Sequence, residues 1–234
     1  MSNPTQWDVG GYVRDELLGI PSKDRDIMVD LPSYEKLEAW AEQHLTKIYE
    51  RRPEMLILRG HGPLGPVDYN LPRNESAYSD SRTPNSVTVG TFEQDMARRD
   101  FTCNAIAKNI ATGEIIDLHG GMLDINMRRL RMVGSAYARL DEDHLRIVRA
   151  IRFCITKGFT PYGELEKILL HGEYADKLES LPVERIANEM CKAFHFNTAS
   201  TLHFLASIHP KYTEAIFSKR LWLLPTLKNR KSAG

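Results

Sequence analysis

The sequence predicts an α/β unit followed by an all-helical one, and three observations carry that expectation. Up to about residue 138, short apolar or alternating runs stand among one or two helical stretches; from about Asp141, apolar residues recur at helical spacing almost to the end. At 234 residues the chain has length for one large domain or two small ones. Its 42% hydrophobic and 26% charged residues, with only 12 Pro and 15 Gly, are those of a globular protein, which excludes wholesale disorder and collagen-like repeats. A boundary near 138 gives units 1–138 and 139–234.

In the first unit the strand candidates are Ile27 to Val29, Met55 to Leu58, Val67 to Leu71 and Glu114 to Asp117, with Gly60 to Pro66 reading as the turn of a hairpin. Ser33 can cap a helix through about His44 that places Leu37, Trp40, Ala41 and Leu45 on one face. The polar stretch Asn74 to Ser86 is long for a plain connection, and such loops are usually functional lids or disordered. In the second unit the helical stripes are Leu145, Val148, Ile151 and Ile155, then Leu165, Ile168 and Leu169, then Ile186, Met190 and Phe194.

Apolar runs such as Leu221 to Leu224 are far shorter than the ~20 residues of a membrane span. No basic-then-apolar leader opens the chain, so a cytoplasmic protein with no membrane partner is expected. Cys103, Cys154 and Cys191 lack zinc-site spacing and read as buried or incidental thiols. The 31 basic and 31 acidic residues cancel, yet from Lys211 onward six basic residues face one acid. That end is either an RNA-facing edge or a solubilising tail.

Four segments carry chemistry. In Val9 to Gly19, Gly10 and Gly11 open a short helix with Arg14 one turn inside. Glycine lets the backbone approach a polyanion and Arg14 adds a fork of donors, although most Gly-Gly pairs are simply turns. In Lys23 to Val29, Asp24 and Asp26 lie two apart at the head of a strand, hence on one face, where a cation such as Mg2+ would relieve their repulsion. With Asp68 on a neighbouring strand, three carboxylates could hold two ions, one activating a hydroxyl and one steadying a triphosphate leaving group. Ala97 to Ala107 holds Arg98, Arg99, Asp100 and Asn104, a set that surface arginines and an Asn bonded to backbone would equally explain. Finally, Asp143, Arg146, Arg149 and Arg152 recur every three residues along one side of a helix, opposite Leu145, Val148 and Ile151. An Asp143 and Arg146 pair can read the amino-plus-acceptor edge of cytosine or adenine and refuse guanine and uracil; a salt-bridged surface helix is the alternative.

In this order the segments resemble the class II tRNA nucleotidyltransferase and bacterial poly(A) polymerase family. The resemblance covers Val9 to Val29, Gln94 to Asn109, Gly113 to Val133, Glu142 to Phe153 and Leu181 to Phe194. It implies a head domain of nucleotidyltransferase, polymerase beta-like, type and a helical neck, with untemplated addition of CMP and AMP from CTP and ATP to the tRNA 3′ end. Asp24, Asp26 and Asp68 would bind Mg2+; Gly10, Gly11, Arg14 and Arg99 would hold phosphates and sugar; Asp143 and Arg146 would read the base, supported by Arg149 and Arg152. Asn74 to Ser86 falls where the family carries a mobile loop. His144 departs from the family's usual Pro, with a small effect expected on helix entry. The family's later helical domains have no counterpart in this sequence, so either the neck suffices for tRNA, a second subunit such as another copy supplies the rest, or the chain is a trimmed form. An enzyme adding only CC or only A, a poly(A) polymerase and an inactive tRNA-binding module are the rival readings.

Overall fold

A computed structural model describes residues 3–22, 25–75 and 86–218. Among these residues the chain divides into two compact units, one ending at Asn126 and the other beginning at Met127.

The first unit contains β1 (Gln6–Val9), α1 (Gly11–Leu17), β2 (Arg25–Val29), α2 (Tyr34–His44), β3 (Lys47–Arg52), β4 (Ile57–Gly62), β5 (Gly65–Asn70), β6 (Arg73–Glu75), β7 (Val87–Val89), α3 (Phe92–Ala97), β8 (Ile106–Asn109), β9 (Ile115–Asp117) and α4 (Gly121–Asn126). Its sheet has the order β3-β4-β5-β2-β1-β8-β9. Only β2 and β5 run parallel; the other neighbours are antiparallel. Strand side chains alternate between faces, so the two faces build different cores. Ile27, Val29, Val67, Tyr69 and Leu71 pack with Leu37 and Ala41 of α2. Met28, on the other face, packs with Trp7, Val9, Ala107 and Met96 of α3. Asp26 shares the Met28 side, two residues closer to the strand's open end. The Ser33 hydroxyl accepts from the Lys36 amide and starts α2 as expected.

Two local readings change. Met55 closes a 3-10 turn and Leu56 is left-handed, so the strand starts at Ile57 and runs through Gly62. The broad turn expected over Gly60 to Pro66 shrinks to Pro63 and Leu64, because Gly62 pairs with Gly65. The ends of the polar stretch, Arg73–Glu75 and Val87–Val89, pair as an antiparallel ribbon; residues 76–85 lie outside the described residues.

The second unit contains β10 (Arg129–Leu130), α5 (Ala136–Glu142), α6 (Leu145–Lys157), β11 (Thr160–Pro161), α7 (Glu164–His171), α8 (Val183–Phe196), α9 (Thr198–Ser207) and α10 (Pro210–Phe217). The expected boundary near 138 falls inside α5, which packs on α6 and α7. The segment before α5 is tied to this unit by the parallel pairing of β10 with β11, which moves the division back to residue 127. The stripes of α6 and α8 face each other, with Ile147, Val148, Ile151, Ile186 and Met190 fully buried. The Tyr212 hydroxyl donates to the Ile168 carbonyl at 3.0 Å and ties α10 to α7. Of the basic tail residues, Lys211 lies in α10, while Lys219, Arg220, Lys228, Arg230 and Lys231 are outside the described residues. Among the described residues no helix is long and apolar enough to cross a membrane.

Candidate active site

The first unit gathers one group of polar side chains around the turn between β1 and α1. Gly10 has φ +68°, and a Cβ there would stand 2.7 Å from Nη1 of Arg99. At Gly11 a Cβ would lie 3.4 Å from Nη2 of Arg14. Glycine is therefore favoured at Gly10 by its dihedral, and any side chain there would also displace the Arg99 guanidinium. Arg14 is buried and donates to Asp15 at 2.8 Å and to the Asn104 side chain at 2.6 Å. Asn104 in turn donates to Asp100 at 2.8 Å, while its carbonyl accepts from Arg99 at 3.1 Å. The sequence allowed a surface role for these residues; instead they form one connected cluster, with Asn104 bonded to side chains.

Behind the cluster lies Asp95, a fully buried carboxylate that the sequence reading did not single out. Arg99 donates to its Oδ2 through Nε at 3.2 Å and Nη2 at 2.9 Å, Arg98 donates to its Oδ1 at 2.9 and 2.5 Å, and the Arg73 amide adds a bond at 3.2 Å. Burial alone would raise its pKa, but the charges of Arg99 and Arg98 overcome that and pull it down to about 2. Burial pushes the Arg73 guanidinium down to about 10, with the nearby charge of Arg98 acting in the same sense. The available signal was an acid three and four residues before Arg98 and Arg99 on a helix.

The second group lies on the adjacent strands β2 and β5. Asp26 and Asp68 are register partners across this parallel pair, so their side chains start from one side of neighbouring strands. Both border a cavity of about 550 Å³ with Arg59, Glu50 and Tyr49. Two hard oxygen donors placed side by side suit Mg2+ better than they suit each other. Asp24, the third expected carboxylate, lies outside the described residues, and among those described no group of three potential ligands is close enough to hold an ion. On the opposite face, Arg25 clasps the buried Asp8 of β1 with two bonds at 2.6 and 2.9 Å and lies over the Tyr12 ring. The sequence gives no sign that Arg25, between the two expected metal ligands, is turned away from them except the period of the strand.

In the second unit Asp143 is the extended residue between α5 and α6, and its carboxylate accepts from the Leu145 amide at 3.0 Å. Burial pushes its pKa up, opposed by that bond and by the charges of Arg185, Arg146 and Arg149. Arg146 donates to the Arg139 carbonyl at 2.8 Å and to Glu142 at 2.7 Å. Arg152 binds the buried Glu189 of α8 and, like Arg149, lies near the Phe153 ring. Thus Asp143 and Arg146 share one end of α6, whereas Arg152 is engaged in packing α6 on α8. Arg185 was missed; its signal was a charged residue beside the buried Ile186 on the α8 stripe. His144 is buried, its ring 3.4 Å from the Ser180 hydroxyl, and burial holds its pKa below the ordinary value.

The sequence and the fold are similar to those of known proteins. The family model for the poly(A) polymerase head domain matches residues 6–131. A CCA-adding enzyme from Latilactobacillus sakei subsp. sakei is 39% identical over 189 residues, 79% of this chain and 45% of that protein. The CCA-adding enzyme of Bacillus cytotoxicus is 38% identical over 185 residues, again 79% and 45% of the two chains. Among solved structures, the Bacillus stearothermophilus CCA-adding enzyme in complex with CTP superposes with TM-score 0.74 at 32% identity, over 86% of this chain and 47% of that one. A tRNA nucleotidyltransferase complexed with a primer tRNA and an incoming ATP analog gives TM-score 0.73 at 26% identity, over 92% and 59%. The α/β head followed by a helical unit is the fold shared with these structures. The chain spans less than half the length of the curated relatives it matches. With more than half its residues inside the head-domain match, the chain belongs to the poly(A) polymerase head-domain family.

Proposed function

We propose that this chain carries the nucleotidyl-transfer machinery of a tRNA nucleotidyltransferase that adds CMP and AMP, from CTP and ATP, to the tRNA 3′ end. The observation that carries the reading is the pairing of Asp26 with Asp68 on adjacent strands, within a unit whose Arg99 lies against the Gly10 turn. Asp26 and Asp68, joined by Asp24, would hold Mg2+, which when bound favours ionisation of the attacking hydroxyl and neutralises the departing pyrophosphate. Arg99, oriented by Asp95 and the Asn104 carbonyl, faces the triphosphate beside Gly10 and Gly11. Arg14 acts one layer behind, fixing Asn104. In the helical unit the Asp143 carboxylate accepts from the exocyclic amine of cytosine or adenine while Arg146 donates to the adjacent ring nitrogen. Guanine or uracil would leave both groups facing like partners, which disfavours them. The first unit is thus the catalytic head and the second the nucleotide-reading neck. Arg149 supports the nucleotide, and Arg152 does so by fixing α6 on α8.

The test is to incubate the protein with Mg2+, a tRNA lacking its CCA end and labelled CTP or ATP, singly and together, and to resolve products to one nucleotide. Growth by C, C and A followed by arrest is the expected result. A lone A or an A ladder would assign an A-adding or polyadenylating role, CC alone a CC-adding one, and tRNA binding without incorporation would overturn the enzymatic reading.

A further inference from the structure

Four charged residues stand in one cross-strand row on the site's face of the sheet. Glu50 of β3 pairs with Arg59 of β4, Arg59 with Asp68 of β5, and Asp68 with Asp26 of β2. Register partners carry side chains on the same face, about 5 Å apart from strand to strand, so the row reads minus, plus, minus, minus over about 15 Å. Arg59 donates through Nε to Asp68 at 2.8 Å and reaches Glu50 through Nη1 at 3.3 Å. The tighter bond therefore goes to the carboxylate beside Asp26.

We propose that Arg59 is a positioning residue that acts as an exchangeable counterion: it neutralises Asp68 when no cation is present and shifts towards Glu50 when a divalent cation binds. The inference rests on the reading of Asp26 and Asp68 as cation ligands. Without a cation, Asp26 and Asp68 are neighbouring like charges, and Arg59 is the guanidinium seen bonded to Asp68. The Arg59 and Asp68 side chains are 48% and 29% exposed. Pairs exposed to this degree are worth about 0–1 kcal/mol, weak enough for a divalent ion to displace. Glu50 provides the second acceptor, already within reach and itself anchored by Arg52. Arg25 does not compete for Asp68, because its guanidinium is clasped by Asp8 on the opposite face.

The experiment measures the Mn2+ dissociation constant of the protein and its variants by electron paramagnetic resonance, which needs no substrate or turnover. Arg59→Gln removes the competitor and tightens Mn2+ binding by about two- to fivefold, the range such a pair supports. Arg59→Lys keeps the charge and stays near the parent value. Glu50→Gln takes away the second acceptor and weakens binding by a similar factor. Unchanged or weaker binding in Arg59→Gln, with Asp68→Asn still weakening it strongly, overturns the counterion role alone. Mn2+ binding that is equal in the parent and in Asp68→Asn overturns the cation reading and the counterion role together. Thermal unfolding of each variant establishes that the binding measured is that of folded protein.

Discussion

Asp95→Asn removes one negative charge and keeps the side chain's shape, so its effect isolates the electrostatics behind Arg99. The carboxylate's pKa falls from an ordinary 3.8 to about 2. At about 1.4 kcal/mol for each tenfold change in proton affinity, that difference is worth about 2 kcal/mol of folding stability. The variant also leaves the guanidiniums of Arg98 and Arg99 without their buried anion, and breaking a buried pair in this way costs about 3–5 kcal/mol. These are two views of one lost interaction, so a loss of about 2–5 kcal/mol is expected, the pKa shift setting the lower bound and the broken buried pair the upper. Urea titration followed by the fluorescence of Trp7 and Trp40, in a Trp222→Phe background, reads the first unit. At an m-value of about 2–3 kcal/mol per molar, the midpoint falls by about 1–2 M with little change in slope. The advantage of the parent has a definite pH dependence. Because the folded pKa is depressed, the contribution is complete above about pH 4 and is lost as pH falls towards 2. A midpoint drop under about 0.2 M, or a difference between the two proteins that stays constant from pH 5 to pH 3, would refute the assignment of Asp95 as the electrostatic anchor.

Gly10→Ala should cost about 1–3 kcal/mol and weaken CTP binding through displacement of Arg99, since the added carbon meets both a disfavoured dihedral and a guanidinium; urea melts and nucleotide titration read the two effects. Asp26→Asn and Asp68→Asn should each abolish nucleotide incorporation while leaving the circular dichroism spectrum intact, and retained activity in both would remove them from the site. Asp143→Asn should relax the preference for CTP and ATP over GTP and UTP in competition assays. In the parent, burial raises the pKa of Asp143, so the same preference should decay on acidification at a higher pH than an ordinary carboxylate would give. Burial pushes the thiols of Cys103 and Cys154 up, so a disulfide reagent should modify the half-buried Cys191 first and those two only on unfolding.

The helices were legible where one face repeats: the stripe of Leu37 and Ala41 in α2 and those of α6 and α8 were readable because burial imposes the 3.6-residue period. β3 was invisible, since Lys47-Ile48-Tyr49-Glu50-Arg51-Arg52 lies at the edge of the sheet and buries no continuous face. β1 and β8 were hidden for another reason, being four residues each and adjoining the motif residues. In the site, the shared face expected for Asp24 and Asp26 involves a residue outside those described, and the expected helical row of Asp143, Arg146, Arg149 and Arg152 is broken at its first member, because Asp143 is extended and α6 begins only at Leu145. Partners distant in sequence were not readable: Arg59 with Asp68, Arg25 with Asp8 and Arg152 with Glu189 depend on strand order and helix pairing. The domain boundary was misplaced because the two-residue strand β10 carries no signal of its own; only its pairing with β11 assigns it.

The edge strand β3 has a consequence for solubility. Its charged residues Lys47, Glu50, Arg51 and Arg52, distributed over both faces, border backbone groups that would otherwise accept a further strand. A passing unfolded chain would have to strip water from those charges before it could add to the sheet. At the other edge, β9 is only three residues long and offers a short template. Both margins of the sheet thus resist amyloid-like growth, while the neighbouring acids Asp26 and Asp68 stand on inner strands, away from either edge.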